Sequence, residues 1–177
     1  MSAYKYEDGI ITDRLYTRFL VSNDHIEWAK FFEDEEAMQY FPSFVTSNKE
    51  PINPWVEKQL LRYKEKRYGL QALINKKTGE FIGQCGLLLQ EIDGKQEVEV
   101  GYHIFKKYWG QGYAPEAAIA FINYGFENKL APSVVSIIDV RNIQSQRVAQ
   151  KNGLKQDKQT KWADLDVFIY RIDNPSH

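Results

Sequence analysis

The sequence predicts an α+β fold around a mixed, mostly antiparallel sheet with helices packed on it. Three observations lead there. Strand-like segments follow one another directly in the middle of the chain, a glycine-containing loop then runs into an amphipathic helix, and the strands after it do not alternate regularly with helices as in a doubly wound sheet. No repeat or linker divides the 177 residues, so residues 1–177 form a single domain, large enough to bury a core unaided.

Residues 10–21 read as a first strand, with Leu15, Phe19 and Val21 among its apolar positions. Asp24 followed by Glu27 has the spacing of a capping box for a helix through Phe32. The acidic, aromatic stretch Asp34 to Phe41 reads as a short helix, and Pro42, Pro51 and Pro54 mark an irregular stretch after it. Trp55, Val56, Leu60 and Tyr63 fit one face of a helix over 55–66. An antiparallel meander follows: Tyr68–Asn75, the turn Lys77-Thr78-Gly79, Phe81–Gln90, the hairpin signal Asp93-Gly94, then Gln96–Phe105. After the loop Tyr108–Ala114 come a helix over Pro115–Lys129, a strand over Val134–Val140, a helix over Ile143–Lys151, and a closing pair of strands over Leu154–Gln159 and Asp166–Ile172.

Composition narrows the function. A formal net charge of -1 supplies no overall field toward nucleic acid or anionic lipid, although Arg62, Lys64, Lys66 and Arg67 are close enough in sequence to make a local basic patch. Cys85 is the only cysteine, which rules out an internal disulfide and a cysteine-rich zinc site, and within a strand it reads as a packing residue. No apolar run approaches the length of a membrane span, and the polar, acidic start, Met1 to Asp8, is unlike a secretory signal. The expectation is a cytoplasmic protein, monomer or homodimer, with no metal, nucleic-acid or membrane partner.

The loop Tyr108-Trp109-Gly110-Gln111-Gly112-Tyr113-Ala114 carries the clearest chemistry. Gly110 and Gly112 can take positive φ and admit a ligand close to the backbone, and the free N–H groups of the following helix favour an anion such as a pyrophosphate. A tight turn alone would also account for the two glycines. A Rossmann fingerprint fits poorly because its third small position would be Pro115 and no βαβ unit precedes it, and a P-loop fails for want of Gly-Lys-Ser/Thr.

Four motifs in order resemble the GNAT superfamily of N-acetyltransferases, closest to its RimJ/RimL-like branch. Thr12-Asp13-Arg14-Leu15 resembles the opening strand, Thr78-Gly79-Glu80-Phe81-Ile82-Gly83 the central hairpin, and Glu99-Val100-Gly101-Tyr102 the fourth strand. Asn142-x-x-Ser145 with Lys151-Asn152-Gly153-Leu154 resembles the second cofactor segment. In the loop, Gly112 and Ala114 fill the last two small positions of the family's Gln/Arg-x-x-Gly-x-Gly/Ala, while Trp109 stands where Gln or Arg is usual.

The resemblance implies a GNAT-like fold whose fourth and fifth strands splay into a V, here Val98–Phe105 and Val134–Val140. It implies transfer of an acetyl group from acetyl-CoA, as co-substrate, to the primary amine of a protein N-terminus or a small molecule. Cofactor contacts would come from Tyr102, Trp109, Gly110, Gln111, Gly112, Tyr113, Ala114 and Asn142. Gly101, inside a strand, would mark a bulge that frees an N–H for the thioester oxygen.

Such acyl transfer requires a base, alignment, oxyanion stabilisation and a departing thiolate. Glu99 is the first candidate base, acting through water. It shares a face with Glu97, so a merely solvated carboxylate pair is the competing account. His103, on the same face, is either the alternative base or a structural histidine. The tyrosine acid usual in the family falls at Ala149, which leaves Ser145 as the substitute proton donor. Phe31, Phe32, Tyr40 and Phe41 would belong to the acceptor side, most of them as core. Two alternatives stand beside this reading: a non-catalytic acyl-CoA-binding module of the same fold, and a dinucleotide-binding oxidoreductase.

Overall fold

A computed structural model describes residues 4–47 and 54–176, so Pro51 lies outside the described residues. Seven strands form one sheet: β1 (Leu15–Phe19), β2 (Leu70–Asn75), β3 (Phe81–Ile92), β4 (Lys95–Ile104), β5 (Ser133–Asp139), β6 (Lys155–Trp162) and β7 (Leu165–Asp173). Their order is β1-β2-β3-β4-β5-β7-β6. Every neighbouring pair is antiparallel except β4 and β5. The helices are α1 (His25–Phe32), α2 (Glu35–Met38), α3 (Ser43–Thr46), α4 (Trp55–Lys64), α5 (Tyr113–Glu127) and α6 (Ile143–Lys151).

Each sheet face buries its own cluster, because successive strand residues point to opposite sides. On one face α1 to α4 pack Trp28, Phe31, Met38 and Val56 against Ala72, Ile74 and Phe105. On the other, α5 and α6 bring Ala117, Ala118, Phe121, Ile122 and Ala149 onto Leu73, Leu87, Val98, Val100 and Ile104. The strand β4 is therefore buried on both faces by different helices, and its odd and even residues belong to different compartments.

Several expected boundaries move, for local reasons. The first strand is confined to Leu15–Phe19, because Thr12 turns the chain before it: the Thr12 Oγ1 accepts from Leu15 N–H at 3.0 Å. Asp24 does not cap α1. Its carboxylate forks with Arg18 at 2.8 and 2.9 Å and accepts from Val21 N–H at 2.8 Å, closing the 3-10 turn Ser22–Asp24. The stretch after Pro42 contains the short helix α3. The helix after the loop begins at Tyr113, two residues before Pro115, a position where a missing N–H costs nothing.

All three hairpin turns use positive φ, with Gly79 at 74° between β2 and β3. Asp93 and Gly94 stand at 49° and 79°, as the signal requires, whereas the β6–β7 turn uses Ala163 at 53° and lets its strands run further than expected.

Candidate active site

The sheet opens at one place. β4 and β5 share a single bridged pair, Glu99 with Val135, and then part. Strand alternation fixes which groups face the opening. Phe105 N–H donates to Ile82 on the β3 side, and Val140 N–H donates to Asp166 on the β7 side. Val100, Tyr102 and Ile104 therefore direct their peptide groups toward β5, and Ile137 and Asp139 direct theirs toward β4. Beyond the bridge these groups have no ladder partner across the gap. The expected bulge at Gly101 is absent, since β3 and β4 pair in unbroken register from Gly83–Ile104 to Ile92–Lys95. The N–H that opens into the gap is that of Tyr102, freed by the splay and not by a bulge. Gly101 serves differently: a Cβ there would only meet Leu88 and Leu70 at 3.4 and 3.5 Å, so the glycine leaves room on the open side.

A cavity of about 580 Å3 occupies the opening and runs through both faces. At one end lies the glycine loop. Gly110 and Gly112 stand at φ 75° and 83°, which strains any side-chain-bearing residue. Among the described residues, none of the five amides from Gly110 to Ala114 finds an acceptor, and they surround the N-terminus of the 15-residue α5. A Cβ on Gly110 would meet nothing within 4 Å. These donors fit a pyrophosphate.

The Trp109 indole turns away from this nest and donates to Ile104 O at 2.7 Å, holding the loop to the end of β4. Tyr113 is buried and contributes through its backbone. The side chain of Gln111 is exposed, and its carbonyl accepts from Arg14 Nη1 at 2.8 Å. Arg14 also forms an ion pair with Glu116 at 2.8 Å and lies 4.2 Å over the Tyr113 ring. A cation from the edge of β1 thus stands beside the nest where the loop itself carries Trp109. Arg14 is a candidate site residue that spacing alone does not reveal, because it joins the loop only through the tertiary fold.

Between the loop and the gap sits a hydroxyl pair. Tyr102 Oη lies 2.9 Å from Ser145 Oγ and donates to Ser145 O at 3.2 Å. Burial pushes the Tyr102 hydroxyl well above its ordinary range. Asn142 caps α6, its Oδ1 accepting from Ser145 N–H at 3.1 Å, and this orients Ser145. Ser136, 3% exposed and on the cavity wall, has a hydroxyl with no partner among the described residues.

On the opposite face the two glutamates separate in character. Glu97 is forked by Arg171 at 2.9 and 3.0 Å and is a structural ion pair. Glu99 is half-buried, accepts from Gln90 Nε2 at 3.0 Å and faces the cavity. Burial raises its carboxyl to about 7, against the opposing pull of Gln90, the Ile137 amide and Arg62. His103 lies among Phe41, Trp55 and Phe31, with ring centroids 5.0, 5.4 and 6.1 Å away, and burial lowers it to about 4. It is neutral at physiological pH.

Of the acceptor-side aromatics, Phe31, Tyr40 and Phe41 line the cavity, and Phe32 packs into the core behind them. Arg62 also turns onto the cavity wall and Arg67 pairs with Glu65, so the expected basic patch is not one surface. Cys85 is fully buried, with its thiol pushed far up by burial, and takes no part in the site.

The chain matches known proteins in sequence and in fold. The profile of the Acetyltransferase (GNAT) domain family covers residues 14–155. The uncharacterized protein YkkB of Bacillus subtilis is 33% identical over 164 residues, 91% of this chain and 93% of its own length. RimL, a ribosomal L7/L12 α-N-protein acetyltransferase solved in complex with coenzyme A, superposes with a TM-score of 0.77 at 16% identity, covering 97% of this chain and all of the other. Spermidine N-acetyltransferase from Vibrio cholerae, solved with CoA and spermine, gives a TM-score of 0.72 at 15% identity over 91% and 96% of the two chains.

Proposed function

The chain belongs to the GNAT acetyltransferase family, and from that premise we propose that it moves an acetyl group from acetyl-CoA onto a primary amine by direct attack, the acceptor being a protein N-terminal α-amine or a small-molecule amine. One observation carries the reading: the parting of β4 from β5 opens a passage between an unpaired amide nest on one face and a half-buried carboxylate on the other.

The amides from Gly110 to Ala114 would hold the diphosphate, with Arg14 adding positive charge beside them. The co-substrate supplies an activated thioester carbonyl. The main-chain N–H of Tyr102 is directed into the gap and can stabilise negative charge on that carbonyl oxygen. Glu99, directly or through a water molecule, takes a proton from the acceptor amine, and a carboxyl titrating at about 7 is matched to that task near neutral pH. Ser145, backed by the Tyr102 hydroxyl at 2.9 Å, is placed to protonate the leaving sulfur. His103 contributes shape to the acceptor wall; titrating at about 4, it is a weaker base than Glu99.

Among the described residues no helix is long and apolar enough to cross a membrane, and the single, deeply buried cysteine suits a reducing cytosol. The test is thiol release from acetyl-CoA against N-terminal peptides and small amines, with calorimetric binding of CoA in parallel. Release with at least one amine supports the transferase. Binding without release from any acceptor would replace it with a binding module of the same fold.

A further inference from the structure

The acceptor half of the cavity is chemically divided. Its wall toward α1 and α3 is aromatic, built from Phe31, Phe41 and Trp55 around the neutral ring of His103. Its opposite end is polar, where Gln90 and Glu99 face Arg62 of α4. Arg62 is the unexplained group. It is half-buried, its guanidinium makes one hydrogen bond among the described residues, from Nη1 to Gln59 Oε1 at 3.1 Å, and it feels Glu99 through space but forms no ion pair with any carboxylate of the described residues.

A guanidinium withdrawn from water without a counter-ion is costly, and a planar fork is shaped for a carboxylate. Glu99 does not fill that role, since no ion pair joins the two, and half of its carboxyl groups are protonated near pH 7. Lys58, one turn earlier on α4, also lines the cavity, but its ammonium lies 6.0 Å from the centre of the Phe44 ring, away from Arg62.

Resting on the transferase reading above, we propose that the acceptor is an aromatic α-amino acid. Its carboxylate would lie on Arg62, its amine beside Glu99, and its ring among Phe31, Phe41, Trp55 and His103. The reaction balances simply. The amine nitrogen forms a bond to the acetyl carbon and the carbon–sulfur bond breaks. The ammonium of the amino acid gives one proton to Glu99 or its water, the nitrogen loses a second as the amide forms, and Ser145 passes a proton to the sulfur and regains one from that pool, so that coenzyme A departs as the thiol. The same charges argue against other amines. A polyamine brings two or more cations to an end that already holds Arg62, and a peptide N-terminus has an amide where this site offers a guanidinium.

The experiment measures thiol release from acetyl-CoA with L-phenylalanine and L-tryptophan, with their primary amides, with the decarboxylated amines, with spermidine, and with a short peptide beginning in phenylalanine. The free acids should show KM values about 10-fold or more below those of the matching amides. In Arg62→Met that ratio should collapse toward one, and Arg62→Lys should restore part of it. Each ratio is internal to one variant, so a general loss of folded protein does not move it. Equal KM values for acid and amide in the unmodified protein, or an unchanged ratio in Arg62→Met, would overturn the proposal. Release with the peptide or spermidine but not with the free acids would sink the amino-acid assignment and leave the transferase intact. No release from any acceptor, despite CoA binding, would remove both.

Discussion

Replacing Glu99 with glutamine separates catalysis from packing because the two consequences have opposite signs. Burial lifts this carboxyl from the ordinary 4.5 to about 7. In the folded protein the group therefore keeps its proton to higher pH than in the unfolded chain, and stability tied to that proton is present below about 4.5 and lost as pH rises through about 7. At about 1.4 kcal/mol per tenfold change in proton affinity, the upper bound is about 3 kcal/mol; partial exposure to the cavity brings the expectation nearer 2 kcal/mol. The glutamine side chain keeps the shape and never ionises. Glu99→Gln should thus be more stable than the parent at pH 8 by about 2 kcal/mol, and nearly equal to it at pH 4. Urea unfolding at the two pH values reads this directly. Activity should move the other way. The parent's kcat/KM should fall below about pH 7 as the base is protonated, and the variant should lose roughly 100-fold of turnover together with that acidic limb. A variant that keeps the same limb, or that gains nothing in stability at pH 8, would refute the assignment of a desolvated base at this position.

The remaining expectations concern the donor side. Gly112→Val places a β-branched residue at φ 83° with its Cβ 3.4 Å from Arg14 Nη2, and should weaken CoA binding by at least about 10-fold; an unchanged calorimetric Kd would contradict the loop's role. Arg14→Gln should weaken the same binding several-fold and flatten its dependence on salt, while an unaltered salt dependence would show that Arg14 only braces Gln111 and Glu116. Ser145→Ala should lower kcat with little change in KM for acetyl-CoA, and wild-type turnover would exclude Ser145 as the acid. Asn142→Ala removes the N-cap of α6 at a cost of about 1 kcal/mol, which should lower the Tm by about 2–4 °C in a thermal melt.

How much of this was legible beforehand depended on the range over which each interaction acts. The meander, the Asp93-Gly94 turn and the glycine loop are specified by residues within a few positions of one another, and the structure agrees with all three. The parted strands were expected only through the family resemblance, since two strands separated by the 15-residue α5 carry no local mark of how they pair. The capping role given to Asp24 failed because Arg18, on the neighbouring strand, competes more strongly for its carboxylate than the helix amides do. The glutamate face was left open between a solvated and a desolvated account. What decides it is Arg171, 74 residues beyond Glu97, which neutralises one carboxylate and leaves the other alone. Arg14 and Arg62 escaped functional notice for the same reason: nothing near them in the chain says what the fold will place beside them.

On the proposed reading, the alternation of β4 accounts for how one strand would serve two ligands. Glu99, Gly101 and His103 project to the helices α1 to α4, while the side chains of Val100, Tyr102 and Ile104 project to α5 and α6. Because the peptide groups of the second set turn toward β5, the same residues that face the donor side also open their N–H groups into the gap. The proposed acceptor chemistry then falls to odd-numbered side chains and the proposed donor chemistry to even-numbered residues, and the two compartments meet at the gap. Substitutions at odd positions can then change which amine is accepted while the grip on the donor stays intact. Such independence is consistent with two proteins of this fold, 16% and 15% identical to this chain, whose names give a ribosomal protein and spermidine as their substrates.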